Sequence, residues 1–243
     1  MGMKKLCVKE NGKVKCNTFS ILAGKEKSYK KHCGSCRWAS ELCTKECYKN
    51  NGSGNTKFVK RCHAINYTIT MSELFIDLMT EEIEYYKYED LRIHSYGEFY
   101  ENEYIEKWIE IINKCKDTRF YAYTRAWSDD LIDNSLLLSL SKLHNMVLYQ
   151  SFDHTMDSTK LIRKLPIATM GYDEKDKELP DWMRQRKIVY CPATKNRLEG
   201  LREIHCNQPC KICMIGKSDV YIPIHKGINI YKNGILRRAK GFA

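Results

Sequence analysis

Two groups of cysteines carry the most recognisable chemistry in this sequence. The first group consists of Cys33, Cys36, Cys43 and Cys47, and the second of Cys191, Cys206, Cys210 and Cys213. Six residues separate Cys36 from Cys43, whereas fourteen separate Cys191 from Cys206. Short spacings let one loop wrap a single site at little entropic cost. Because thiolates bind soft and borderline metals, each group is a candidate metal site.

The spacing alone does not choose the metal. Four thiolates suit either tetrahedral zinc or a [4Fe–4S] cluster. We expect one or two [4Fe–4S] clusters and keep structural zinc as the alternative. Zinc is the weaker interpretation, because zinc-finger sites usually pair two CxxC-like knuckles and because the first group lies where a barrel would hold reactive chemistry.

The compartment decides whether cysteines are ligands or disulfide partners. The lysines near the N-terminus precede no apolar segment, so we expect no secretory signal and a cytoplasmic location. No stretch approaches the roughly 18 consecutive apolar residues of a membrane-spanning helix, so we expect no membrane contact. In a reducing compartment, the clustered cysteines indicate metal ligands and not disulfide partners.

The formal net charge is +11, which raises the question of a nucleic-acid partner. Two four-thiolate clusters, each of about −2, would lower it to about +7. Much of the basic charge lies in Lys25–Lys31 and Arg237–Lys240. Solvated loop charge and a surface that contacts nucleic acid are both open interpretations, and a host protein or redox partner is a further one.

Short β-rich runs alternate with helical stretches along most of the chain. The predicted strands are Thr18–Leu22, Leu91–Ser95, Phe120–Thr124, Met146–Gln150, Ile167–Met170 and Lys187–Tyr190. The predicted helices are Ser72–Tyr88, Tyr104–Cys115, Ser135–Leu143, Ser158–Lys164 and Leu179–Gln185. This alternation predicts an α/β fold with a parallel sheet, built as a partial (βα)-repeat barrel, with an open doubly wound sheet as the alternative.

We expect residues 1–190 to form this barrel, with the first cysteine group in an N-terminal loop over 33–47. Residues 191–243 hold the second cysteine group and a basic tail, which we expect to pack on the same domain.

Reactive side chains follow the predicted strands. His94, Gly97 and Glu98 come after the second strand, Arg125 after the third and Asp153 after the fourth. The carboxyl ends of parallel strands carry the chemistry in such folds, so we expect one mouth to collect these residues and both cysteine groups. Glu98, His94, Arg125 and Asp153 are the candidate catalytic residues. The alternatives are a helix cap for Glu98, a core histidine for His94 and ion pairing for the other two.

Several segments together resemble the phage "gene product 88" family. They are Phe19–Gly24, the Cys36–Tyr48 run, Arg92–Phe99, Tyr104–Trp108, Phe120–Arg125 and the closing part from Val189 to His225. The resemblance covers roughly residues 18–225, and members of the family occur in phages and other mobile elements. It implies an architecture more than a reaction.

The sequence also looks like a distant relative of radical S-adenosylmethionine (SAM) enzymes. That resemblance implies a TIM-like partial barrel, a three-cysteine [4Fe–4S] cluster with one open iron for SAM, and Gly97-Glu98 as a contact for the SAM amino group. Asn50 stands where the third cysteine of the usual motif belongs, so Cys36 becomes the third ligand. Cys33 could then close the cluster and remove the SAM site. The second group resembles an auxiliary cluster, with Cys191 as its fourth ligand.

Three functions follow as competing hypotheses. The first is a redox-active, radical-SAM-like iron–sulfur enzyme of a mobile element. The second is a non-catalytic iron–sulfur protein, structural or redox-sensing, that binds nucleic acid or a host protein. The third is a structural zinc protein. The sequence names no substrate.

Overall fold

The computed structural model describes most of the chain. The described residues are 5–8, 14–25, 27–29, 32–47, 55–171, 181–194, 205–206, 209–224, 228–230 and 236–238. All eight grouped cysteines fall within these ranges. Asn50, His225 and much of both predicted basic segments lie outside them, so nucleic-acid contact through those segments stays a prediction.

An eight-stranded sheet forms the centre of the fold. In spatial order its strands are β1 (Cys7–Val8), β2 (Asn17–Phe19), β5 (Asp90–Ile93), β6 (Arg119–Thr124), β7 (Met146–Phe152), β8 (Ile167–Gly171), β12 (Asp219–Pro223) and β9 (Ile188–Tyr190). Every neighbouring pair is parallel except β1 and β2. Three small two-stranded sheets pair β3 (Lys27–Tyr29) with β4 (His32–Cys33), β10 (His205–Cys206) with β11 (Pro209–Cys210), and β13 (Ile228–Ile230) with β14 (Leu236–Arg238).

The helices link successive strands. They are α1 (Glu41–Lys45), α2 (Lys57–Thr70), α3 (Phe75–Tyr86), α4 (Asn102–Lys114), α5 (Asn134–Ser141), α6 (Asp181–Arg184) and α7 (Ile212–Ile215). Helix α4 buries the predicted apolar stripe, with Trp108, Ile111 and Ile112 fully buried. The predicted helix Ser158–Lys164 is instead a single 3₁₀ turn, Ser158–Lys160.

The strand order explains where the helices lie. From β2 to β8 each strand pairs with the next one of the sheet in sequence. Because parallel crossovers are right-handed, helices that join such neighbours fall on one face of the sheet. Accordingly α4 packs against α3 on one side and α5 on the other. The α/β class and the parallel sheet are therefore as predicted.

The sheet itself is open. Among the described strands, β1 and β9 form its two edges and do not pair with each other. The structure thus shows a mostly parallel open sheet and no closed barrel. Strand β12 was not predicted, and it lies between β8 and β9. A strand from the C-terminal part of the chain therefore belongs to the central sheet.

The two faces of the sheet bury different side chains. Leu91, Ile93 and Phe120 pack in the large core with helices α3–α5. Tyr121 and Tyr149 belong to separate clusters that include Cys206 and Cys213. Helix α7 contacts β6 and β7, so the second cysteine segment covers the face that the larger helices leave open.

In the part of the chain that the structure describes, no helix is long and apolar enough to cross a membrane.

Candidate functional site

Hydrogen bonds join the first cysteine loop, residues 33–47, to the carboxyl edge of the sheet. Ser35 donates its backbone N–H to the Leu22 carbonyl at 2.7 Å, and Cys36 donates to the Gly24 carbonyl at 3.0 Å. The Ser35 hydroxyl accepts the backbone N–H of Glu98 at 3.0 Å. A Cβ atom at Gly34 would lie 2.2 Å from the Gly24 carbonyl oxygen, so no side chain fits there. These contacts bring Cys36 beside Glu98.

Ser40 joins the same loop to two neighbouring strand ends. Its hydroxyl caps helix α1 by accepting the Cys43 N–H at 3.0 Å, and it donates to Asp153 Oδ2 at 2.5 Å. Arg125 Nη1 donates to that same carboxylate oxygen at 2.7 Å and to the Ser40 hydroxyl at 3.1 Å. Asp153 is fully buried. The position of Cys43 therefore depends on a buried ion pair between β6 and β7.

The sulfur atoms of this loop sit in two environments. Burial raises the pKa of Cys36 to about 12, and the charges of Glu98, Cys43 and Cys47 add to the effect. Burial also raises the pKa of Cys43, although the Arg125 charge opposes it. Cys33 is exposed on β4. Thus Cys36, Cys43 and Cys47 form an interacting trio. The neutral thiols of Cys36 and Cys43 would ionise only when a cation compensates the buried charge.

Three hydrogen bonds hold the buried carboxyl group of Glu98. Its Oε1 accepts the backbone N–H of Phe99 at 2.8 Å and the Thr124 hydroxyl at 2.7 Å, and its Oε2 accepts the Arg125 N–H at 2.7 Å. Burial nevertheless raises the pKa of Glu98 to about 7. A carboxyl group that titrates near neutrality can hold or release a proton under working conditions.

Gly97 forms the turn that places Glu98 beside Cys36. Its φ of +94° is a conformation that favours glycine, and a Cβ atom there would lie 2.3 Å from Cγ1 of Ile21. The predicted pair Gly97-Glu98 therefore lies at a strand end beside the first cysteine group.

His94 lies elsewhere. Its Nε2 is 2.8 Å from the hydroxyl of Tyr104 on α4, and its ring packs edge-on against Phe99 with centroids 4.8 Å apart. Burial lowers its pKa to about 3, so the ring is neutral. The structure places His94 in the core on the helix side of the sheet, which was the alternative interpretation from the sequence.

The second cysteine group lines one small cavity on the opposite face of the sheet. Its four cysteines share the lining with Arg92, Tyr121, Tyr123, Pro192, Ile212, Met214 and Val220. Burial raises the pKa of Cys213 to about 12, with a lowering contribution from a hydrogen bond to Tyr123 and raising ones from the other three cysteines. The Thr194 hydroxyl also donates to Cys191 Sγ at 3.4 Å.

Seven of the eight grouped cysteines therefore form two centres, and Cys33 is exposed. The sequence-based expectation of one mouth holds for the first group with Glu98, Arg125 and Asp153. It is wrong for Cys206, Cys210 and Cys213, because their segment packs over the middle of β6 and β7 before the chain enters β12.

The donor atoms of the two groups bear on the metal. Both groups offer only cysteine sulfur, which suits a [4Fe–4S] cluster and also tetrahedral zinc. Within the described ranges, no three Cys, His, Asp or Glu side chains are arranged to hold a single metal ion.

Sequence reasoning missed several residues of both centres. Ser35 and Ser40 join the first loop to the sheet, and Thr124 holds Glu98. A serine three residues before Cys43 is a helix-capping pattern that could have indicated Ser40. Arg92 and Cys16 lie at the second centre, where the Cys16 sulfur is 3.5 Å from the Tyr121 hydroxyl. Nothing in the local pattern marks either residue.

Comparison with known proteins assigns the chain to a family. The profile of a family described as "Gene product 88" matches residues 2–215. The chain belongs to the gene product 88 family. The matched range contains both cysteine groups in full, so both centres lie within the part of the chain that the family shares.

One gene product 88 relative is a curated phage protein. The chain is similar to the "Gene 88 protein" of Mycobacterium phage D29, with 26% identity over 201 residues that cover 76% of this chain and 80% of the relative. No solved structure matches the chain.

Proposed function

We propose that this gene product 88 protein binds two [4Fe–4S] clusters. Cys36, Cys43 and Cys47 would hold the first at the carboxyl edge of the sheet. Cys191, Cys206, Cys210 and Cys213 would hold the second on the open face. The observation that carries the proposal is the grouping of the sulfur atoms, in which four cysteines line a single cavity while three others interact beside Glu98.

We place [4Fe–4S] clusters ahead of zinc at both centres. Both donor sets consist entirely of cysteine sulfur, and the first lies at the carboxyl ends of strands, where reactive chemistry is usually found. Thiols with raised pKa values are neutral in the metal-free protein, so metal binding must release protons. Structural zinc is the alternative that metal analysis would reveal.

The first centre would be the reactive one, which makes the protein a radical-SAM-like redox enzyme. Three cysteines leave one iron of a [4Fe–4S] cluster without a protein ligand, and Cys33, the fourth member of the group, is exposed on β4. When bound, such a cluster would supply one electron to a ligand on its open iron. Glu98 can exchange a proton near neutral pH beside it.

The sheet supports this comparison at the level of topology. Sequential parallel strands with helices on one face are the arrangement from which partial barrels of radical-SAM type are built, whereas a doubly wound sheet carries helices on both faces. The chemistry of both folds lies at the carboxyl ends of strands, where Glu98, Arg125 and the first cysteine loop meet.

Electron paramagnetic resonance (EPR) with and without SAM tests the open iron. We expect SAM to change the spectrum of the reduced first cluster and to be cleaved to 5′-deoxyadenosine. A C33A variant should keep the cluster and the SAM response, because Cys33 is outside the trio. A C62S variant is the matched control, since Cys62 lies on α2 and belongs to neither group.

Two results would contradict the enzyme proposal. The first is a reduced spectrum that SAM leaves unchanged, with no cleavage product. The second is loss of the first cluster in C33A, which would make Cys33 the fourth ligand. A fully ligated cluster would favour a structural or redox-sensing role instead.

A further inference from the structure

We infer that Arg92 and Tyr123 are tuning residues that raise the reduction potential of the cluster held by Cys191, Cys206, Cys210 and Cys213. This inference rests on the proposed function and deepens it. It concerns the second centre, for which neither residue was predicted as a site residue from the sequence.

The strand geometry places Arg92 at the cysteine cavity. On β5 its neighbours Leu91 and Ile93 are fully buried in the large core with the helices. Because successive side chains of a strand point to opposite faces, Arg92 lies on the open face. Its strand partner on β6 is Tyr121, and both residues line the cavity with the four cysteines.

Arg92 also contacts a second aromatic residue of the cavity. Its guanidinium carbon is 5.1 Å from the centroid of the Tyr123 ring. The Tyr123 side chain lines the cavity together with Cys213 and lowers the pKa of that thiol. Among the described residues that line the cavity, Arg92 is the only cation. One positive charge and one hydroxyl donor therefore meet the second centre from the same side.

The charge of Arg92 reaches this face of the sheet. It lowers the pKa values of Tyr121, Tyr123 and Cys16 against the opposing effect of burial.

The redox step is a single electron transfer. An oxidised [4Fe–4S]²⁺ cluster with four thiolates carries about −2, and one electron from a one-electron donor such as dithionite takes it to about −3 with no bond formed or broken. A nearby cation and a hydrogen bond to sulfur stabilise the more negative state. Both residues therefore shift the potential of this couple upward.

The test is a redox titration of the reconstituted full-length protein, followed by EPR. Arg92→Gln should move one of the two cluster signals to lower potential and leave the other in place. Tyr123→Phe should move the same signal in the same direction by a smaller amount. Arg92→Lys keeps the charge and should give a potential between those of the wild type and Arg92→Gln. Arg119→Gln is the matched control, because it removes an arginine charge from the far end of β6, where Arg119 pairs with Asp90.

Iron and sulfide contents separate the possible failures. Full cluster content with an unchanged potential in both Arg92→Gln and Tyr123→Phe overturns the inference and leaves the proposed function standing. If Arg92→Gln loses the second cluster, the potentials of Arg92→Lys and Tyr123→Phe are compared with that of the wild type instead. An unchanged potential in both, with full cluster content, then overturns the inference. A C206S/C213S variant that binds as much iron as the wild type contradicts the proposed function itself.

Discussion

The Glu98 carboxylate accepts the backbone N–H of Arg125 at 2.7 Å, so the acid that follows β5 holds the first residue after β6. The Arg125 side chain then reaches Ser40 and Asp153. Through this chain of contacts, two strand ends and the cysteine loop form one buried polar network. The predictions for the first centre follow from it.

Removal of the Ser40 hydroxyl should weaken the first centre specifically. S40A loses the cap of α1, which costs about 1 kcal/mol, and also a partner of Arg125 and Asp153. We expect faster loss of iron from the first cluster, followed by absorbance during incubation with a chelator. T56A is the matched control, because Thr56 caps α2 in the same way. Equal rates of iron loss in S40A and T56A would count against the network.

The Arg125–Asp153 pair should be costly to break. D153N leaves the Arg125 guanidinium buried without its counter-ion, and such changes cost about 3–5 kcal/mol. Urea unfolding of the metal-free protein measures this loss. D130N breaks the exposed pair with Lys160 and should cost far less, because solvent screens an exposed ion pair. A D153N protein as stable as D130N would show that the pair contributes little.

Glu98 should give the stability a characteristic pH dependence. Its folded pKa of about 7 lies above the ordinary value of 4.5, so the folded state binds more protons between those values. Stability from Glu98 is therefore fully present below about pH 4.5 and is lost as the pH rises through 7, by about 3 kcal/mol in all. We expect urea unfolding between pH 5 and pH 8 to show this fall in the metal-free wild type.

The E98Q variant isolates the contribution of Glu98 ionisation to the pH dependence of stability, because glutamine has nearly the same shape and does not titrate. Its amide group will also oppose one of the three donors, so its stability at pH 5 should be lower than that of the wild type. The exposed Glu106 provides a control in E106Q. Parallel pH profiles for the wild type and E98Q would refute the assignment.

Gly34 should be required for the position of Cys36. A Cβ atom there would lie 2.2 Å from the Gly24 carbonyl oxygen, so G34A must displace the loop. We expect G34A to lose iron from the first cluster and retain the second, as EPR of the reduced protein would show. Retention of both signals would mean that the loop tolerates the shift.

The apolar periodicity of the sequence predicted the central strands and helix α4. The apolar runs of β5–β8 and the stripe of Trp108, Ile111 and Ile112 were recognisable because burial sets their periodicity. The insertion of β12 between β8 and β9 was not, because strand pairing over such a sequence separation depends on the whole sheet. The same holds for the place of the second cysteine group, on the face of the sheet opposite the larger helices.

The individual site residues show the same division. Glu98, Arg125 and Asp153 were identified from their positions after strands, and the structure brings them together. Cys33 and Cys36 belong to one short motif, yet only burial in the fold separates the exposed Cys33 from the interacting Cys36. His94 has a φ of +62°, so the alternation of the strand no longer decides which face its side chain takes.

Quantitative iron, sulfide and zinc analysis of anaerobically purified protein tests the central claim most directly. The account predicts about eight irons and eight sulfides per chain, about half of each in both C36S/C43S and C206S/C213S, and no loss in C62S. Stoichiometric zinc, or a wild-type protein without iron and sulfide after reconstitution, would contradict it.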